Sequence, residues 1–236
     1  VREVGFLLSE KIDSNLPESI LRRLFRHAKI TARVSDFDGN LTMSLLLSEH
    51  MQRRIFWMGY YSQDIAHLLN HLLKPGMVVL DVGANIGEIT MLAAQRVRPE
   101  GRVFSFEPMD EISKQLEWHI KTNQLHQVSI QKIALGETIA DNIPIYLSCG
   151  QVIEDENGGL GSLYGGNQGQ NPVQHITVTT LDDWQSKQHL ERIDLIKIDI
   201  EGAELACLKG AKKSIQQYRP KIIIEIQDFS SARAGY

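Results

Sequence analysis

Met77-Val78-Val79-Leu80-Asp81-Val82 runs directly into Gly83-Ala84-Asn85-Ile86-Gly87, and this junction constrains the fold more than any other part of the chain. A strand apolar on both faces belongs in a parallel sheet covered by helices on each side. Gly83 and Gly87 allow a sharp turn and a close backbone approach to a ligand. Asn85 tolerates a left-handed conformation better than most residues. Asp81, near the carboxyl end of the strand, can accept hydrogen bonds from a ligand or order the turn. In open α/β sheets ligands bind outside the carboxyl ends of the strands. The spacing is GxxxG, not the GxGxxG of dinucleotide sites, and no Gly-Lys-Ser/Thr follows as in a P-loop. It therefore argues against both of those nucleotide sites.

The unit then repeats in outline. Gly101–Glu107 reads as a second strand, Val128–Ile133 as a third, Ile193–Ile200 as a fourth and Ile222–Ile226 as a fifth. Between them lie helical patterns: one through about Val97, one over 111–123 with Asp110 as its cap and Ile112, Leu116 and Ile120 along it, and one over about 202–218. Strands alternating with helices predict βαβ crossovers. Residues 62–73 carry a helical apolar face, with Ser62 a candidate cap. Ahead of them, a helix over about 16–29 and a hairpin turning at Asp38-Gly39-Asn40 form an expected accessory region, residues 1–60, with the core over 61–236. Phe56, Trp57, Tyr60 and Tyr61 either pack that region or line an acceptor pocket.

The stretch 137–180 breaks the pattern. Its glycines, concentrated near 148–172, read as an insertion that is either a simple excursion or a lid over the crevice. Val173–Val178 can add a strand before a helix beginning at Leu181-Asp182-Asp183-Trp184.

Two charged groups carry the chemistry. Glu107 ends the second strand, where an acidic side chain can accept hydrogen bonds from both ribose hydroxyls or can serve a helix start. Lys197 and Asp199 interrupt the fourth strand at period two, so both point to one face. Buried charges are costly unless paired, which allows a structural network with Asp81 or Glu225. Asp199 and Glu201, at the strand end, can equally be a general base, metal-binding carboxylates or helix N-terminal acids. His119, His126 and His175 stand alone in sequence and read as surface or packing residues.

Composition narrows the partners. A formal net charge of −4 without a polybasic block argues against double-stranded DNA as partner. Two cysteines form neither a disulfide framework nor a zinc pattern, which supports a reducing, cytoplasmic compartment. No apolar run reaches the ~20 residues of a membrane span.

In the order VVLDVGANIG, FSFEP, VTTLDDW, LIKIDIEGAELACLKGA and RPKIIIEI, roughly over residues 55–227, the sequence resembles the FkbM family of S-adenosylmethionine-dependent methyltransferases. The resemblance implies an α/β, class I (Rossmann-like) methyltransferase fold, mainly parallel, with helices on both faces. It implies transfer of a methyl group from S-adenosyl-L-methionine to a hydroxyl of a small molecule or saccharide. By position it implies a cofactor loop of Asp81, Gly83, Ala84, Asn85 and Gly87, a ribose contact at Glu107, and adenine contacts at Ala134 and Leu135. Lys197, Asp199, Glu201 and Glu204 match the family's fourth-strand motif. Asp199 ranks first as the base and Glu201 second, with Lys197 holding Asp199 or Asp81. Gly161-Ser162-Leu163 resembles a short element of the variable loop. Mg²⁺ is possible, although no ligand spacing supports it.

Such a core normally has two strands after the fifth, and residues 228–236 are too few to form both. The expectation is a C-terminally incomplete core, open at the fifth strand and able to oligomerise through that edge. The competing reading is a non-catalytic adenosyl-cofactor-binding or protein-interaction module.

Overall fold

A computed structural model describes residues 29–147, 161–162 and 171–226. The expected helix over 16–29, the bulk of the insertion and residues 228–236 lie outside them. The chain forms two compact units, the division falling within one helix between His71 and Leu72.

In the first unit β1 (Thr31–Phe37) pairs antiparallel with β2 (Leu41–Leu46). The turn falls at Asp38 and Gly39, both with positive φ, as the sequence predicts. Helix α1 (His50–Met58) was not expected. Its buried positions include Gln52 and Arg53, which hide the apolar periodicity. Each has a local partner: Gln52 accepts from Leu46 N–H at 2.7 Å, and Arg53 donates to the carbonyls of Leu47 and Ser48. The aromatic residues pack locally, with Phe37 against Tyr60 and Phe56 against Trp57. Helix α2 (Gln63–Leu72) matches the predicted apolar face.

The second unit holds five parallel strands: β3 (Val78–Val82), β4 (Arg102–Phe106), β5 (Val128–Gln131), β10 (Leu195–Ile198) and β11 (Lys221–Ile224). Their order is β11-β10-β3-β4-β5, with β11 at one edge as expected among the described residues. Chain order reverses between β3 and β10, so the crevice of an open sheet opens there. All five residues of β3 are buried.

The two faces of β3 differ. Leu80 lies between Ile196 and Phe104, and Val82 between Ile198 and Phe106, in register. These rows form one apolar core with Trp184, Cys207 and Ala211. Asp81 lies between Lys197 and Ser105 on the other face, so a polar row crosses three buried strands.

Helices α3 (Glu88–Val97), α4 (Asp110–Thr122), α5 (Leu181–Gln188), α6 (Glu204–Gly210) and α7 (Lys212–Tyr218) complete the layers. Two expectations are corrected. Asp110 is the first residue of α4, not its cap; Met109 holds that position, and Asp110 N–H donates to Gln174 Oε1. The single helix over 202–218 is two, because Asp182 accepts from the amides of Lys213 and Ser214 and starts α7 afresh. Gly210 also runs so close to the Gly136 carbonyl that no side chain fits there.

The described residues of 137–180 include strands. Strand β7 (Ala140–Leu147) pairs antiparallel with β9 (Gln174–Thr179), in a small sheet ordered β6 (Ala134–Leu135), β9, β7 and β8 (Gly161–Ser162). Pro144 and the left-handed Asn142, beside an irregular register, disguise β7 in the sequence.

Candidate functional site

The turn after β3 takes positive φ at Gly83 (79°), Asn85 (49°) and Gly87 (99°). Each has an identifiable cause. A side chain at Gly83 would run into the Asp199 carbonyl oxygen, and one at Gly87 into Leu116. Asn85 closes on itself, its Oδ1 accepting from Ile86 N–H at 2.7 Å. Gly83 and Asn85 remain partly exposed, whereas Ala84 and Ile86 are buried. Gly83 and Asn85 are therefore the residues of Gly83–Gly87 that keep surface, with Ala84 and Ile86 turned inward.

Glu107 joins this turn from the next strand. Its Oε2 accepts from Asn85 N–H and its Oε1 from Met109 N–H, both at 3.0 Å. Burial pushes its pKa up to about 7, against the opposing pull of those two amides and of Lys197. Glu107 serves the start of α4 and stands at the carboxyl edge beside the turn.

Asp81 lies beneath the turn rather than on its surface. It is fully buried; Thr90 Oγ1 donates to its Oδ2 at 2.6 Å, and Lys197 Nζ stands 3.6 Å from its Oδ1. Because Thr90 spends its proton on Asp81, the 2.8 Å contact between Thr90 and Ser105 has Ser105 as donor. These contacts tie Asp81 to α3 and to Lys197.

Lys197 ties the strands together. Its Nζ lies 3.5 Å from Asp199 Oδ2 and donates to the Gly83 carbonyl at 3.1 Å. Burial alone would depress its pKa, but Asp199 and Asp81 outweigh that and raise it. The ammonium stays charged and satisfied, as a buried cation must. The Asp199 side chain is 30% exposed, so it is held by Lys197 on one side and open on the other.

Glu201 follows with φ 53° and is half-buried. Glu204 does not face the crevice: it is buried, and its Oε1 accepts from Ile200 N–H and Gly202 N–H at 3.0 and 3.1 Å. Leu135 fills the apolar core, while Ala134 is half-buried and retains surface. Burial pushes the Cys207 thiol up to about 12, which makes it a packing residue and not a nucleophile.

Ser113, Leu116, His119, Thr90 and Ser105 were not singled out as site residues by their sequence context. All five are buried around the turn. Their signal was weak: 113, 116 and 119 recur every third residue on one helix face, but Ser and His there read as surface. Among the described residues no group of three or more His, Cys, Asp or Glu side chains is placed to hold a metal ion. No helix among them is long and apolar enough to cross a membrane.

A profile of the Methyltransferase FkbM domain matches residues 81–235. The chain belongs to the FkbM methyltransferase family. Its α/β sheet is the class I methyltransferase fold. Among similar proteins, the 2-O-methyltransferase NoeI of Sinorhizobium fredii is 29% identical over 163 residues, which cover 64% of each chain. The AMB antimetabolite synthetase AmbE of Pseudomonas aeruginosa is 28% identical over 214 residues, 79% of this chain but 10% of AmbE. The chain thus spans a tenth of one relative and somewhat under two thirds of the other. The crystal structure of an FkbM methyltransferase from Methylobacillus flagellatus aligns with TM-score 0.43 at 17% identity, covering 89% of this chain and 48% of that one.

Proposed function

We propose that the chain transfers a methyl group from S-adenosylmethionine to a hydroxyl oxygen of a small molecule or saccharide. The observation that carries this reading is the triple junction at the carboxyl edge: the Gly83–Gly87 turn is bonded to Glu107 on one side and abuts Asp199 on the other. Adenosyl recognition and a candidate base therefore flank the same backbone. The family supports methyl transfer. The oxygen acceptor rests on NoeI, named a 2-O-methyltransferase.

In this reading Glu107 accepts from the ribose hydroxyls, and Gly83 and Asn85 admit the donor's amino-acid end. Ala134 borders the adenine, with Leu135 behind it as core. S-adenosylmethionine supplies an electrophilic methyl carbon on a sulfonium. As the new C–O bond forms and the C–S bond breaks, the acceptor hydroxyl passes its proton to Asp199. Lys197 fixes the Asp199 carboxylate through the 3.5 Å contact, leaving its exposed side toward the acceptor. Positioning in a confined crevice supplies much of the remaining acceleration. Glu201, two residues on, is the alternative base.

Calorimetric titration with S-adenosylhomocysteine should show saturable binding. Labelled S-adenosylmethionine should then pass its methyl to hydroxyl-bearing acceptors in an array of saccharides and small alcohols. Saturable binding with no transfer across such an array would favour the non-catalytic cofactor-binding module; absence of binding would reject both the methyltransferase and that module, leaving the protein-interaction module.

A further inference from the structure

Helix α4 presents three fully buried side chains at every third position, Ser113, Leu116 and His119. Each meets a different part of the junction. Ser113 Oγ donates to the Glu107 carbonyl at 2.7 Å. Leu116 lies against Gly87. His119 Nδ1 lies 2.7 Å from the carbonyl oxygen of Ile86. A carbonyl only accepts, so this nitrogen carries the proton.

That carbonyl has particular need of a partner. The first bond of α3 runs from Met91 N–H to the Gly87 carbonyl, so Ile86 stands just outside the helical ladder. Ile86 is itself 1% exposed, and a buried carbonyl without a donor is costly. With Asn85 Oδ1 accepting from its N–H and His119 donating to its carbonyl, both polar ends of Ile86 are held by side chains. Six residues of helix span about 9 Å, so Ser113 and His119 set the separation of Glu107 and the glycine turn from one rigid element.

We propose that His119 is a positioning residue for the methyl donor: its Nδ1–H fixes the Ile86 carbonyl and thereby the backbone that Gly83 and Asn85 offer to the crevice. The proposal rests on the reading of this turn as the donor site. His119 is fully buried, so its proposed effect on the donor runs through the turn.

The test uses two measurements on the same proteins. In the ligand-free chain, hydrogen exchange of the amides over 83–87 should quicken about tenfold in His119→Leu, while those of β4 and β10 keep their rates. S-adenosylhomocysteine affinity should fall about tenfold. His119→Asn, whose amide nitrogen can take the place of Nδ1, should restore both to within about threefold of the parent. His119→Gln, whose nitrogen reaches the Nε2 position instead, keeps polarity and bulk and should behave as Leu; it serves if the Leu variant does not fold. A merely structural histidine would instead quicken exchange throughout the unit, and Asn would rescue no better than Gln. A parent that binds, with variants that bind equally well and exchange equally slowly, overturns the proposal. A parent that does not bind rejects the donor site itself, while the exchange data still decide whether His119 holds the turn.

Discussion

Two turns meet at the crevice, and they are held in different ways. The turn after β3 bends through Gly83, Asn85 and Gly87; the turn after β10 bends through Glu201 and Gly202, at φ 53° and 102°. Each is clamped by a buried carboxylate that accepts two backbone N–H groups. For the first, the acid is Glu107, one residue past the neighbouring strand. For the second it is Glu204, four residues beyond Ile200. The first turn also leans on α4 and on Lys197, so its shape depends on distant parts of the fold. The second largely shapes itself, and Asp199 can therefore stay partly exposed without the turn losing its form. A turn built from distant parts suits a site that must fit a ligand; a self-clamped turn suits one that must present a single reactive group.

The largest effect expected from this division is on catalysis. Asp199→Asn keeps the shape of the second turn and removes the proton acceptor. Single-turnover methyl transfer should fall roughly 10²–10⁴-fold, with S-adenosylhomocysteine affinity within about threefold of the parent. Parallel loss of melting temperature, affinity and rate would show that Asp199 serves chiefly as the counter-ion of Lys197. Normal rate and affinity would move the base to Glu201.

Next comes the place where the two turns touch. Gly83→Ala puts a Cβ into the Asp199 carbonyl at a positive φ. Destabilisation of ~3 kcal/mol or more is expected in denaturant unfolding, together with loss of cofactor binding. Gly39→Ala, also at positive φ but facing open space, should cost only ~1 kcal/mol. Equal losses in the two variants would show that strain, not the close approach, makes Gly83 necessary.

The same contrast explains what could be read before the structure. The five parallel strands, the glycine turn and the shared face of Lys197 and Asp199 were legible because each is local: an apolar run, a glycine spacing, a period of two. Asp81 was ambiguous, since only the register beside Lys197 and Ser105 shows it lying beneath the turn. His119 was illegible, because its partner at Ile86 is remote in sequence and a lone histidine carries no pattern. Strand β7 was missed for a different reason: Asn142 and Pro144 are strand-breaking residues that only pairing with β9 accommodates. Leu135 follows a predicted strand, yet the pairing of β6 with β9 and the surrounding core turn it inward.

The two clamps should also separate by experiment. Glu107→Ala is expected to weaken S-adenosylhomocysteine binding by ~1.5–3 kcal/mol, since a buried acid with two amide partners and the ribose contact are lost together. Glu204→Ala should instead lower unfolding stability by ~1–2 kcal/mol, leaving the affinity of the folded protein within about threefold. A Glu204 variant that loses affinity as much as the Glu107 variant would mean that the second turn is not self-contained.

The smallest effect is on pH, and its sign follows from the burial of Glu107. Its pKa in the ligand-free fold is raised to about 7 from 4.5. As pH rises from about 4.5 to 7, the unfolded chain releases this proton before the folded chain does, so the raised pKa lowers stability across that window and adds nothing further above it. Ligand binding acts in the opposite direction. Ribose hydroxyls donating to the carboxylate favour its ionised form, so binding below pH 7 must expel the proton. Apparent affinity for S-adenosylhomocysteine should therefore weaken as pH falls from 8 to 6, by up to about tenfold per unit below the midpoint. Calorimetry in two buffers of different ionisation heat would count the released proton directly. Glu107→Gln cannot titrate, and it should bind more weakly but with a flat profile at this midpoint. An affinity constant from pH 6 to 8 in the parent would place the ribose away from Glu107, leaving that residue only its role at the start of α4.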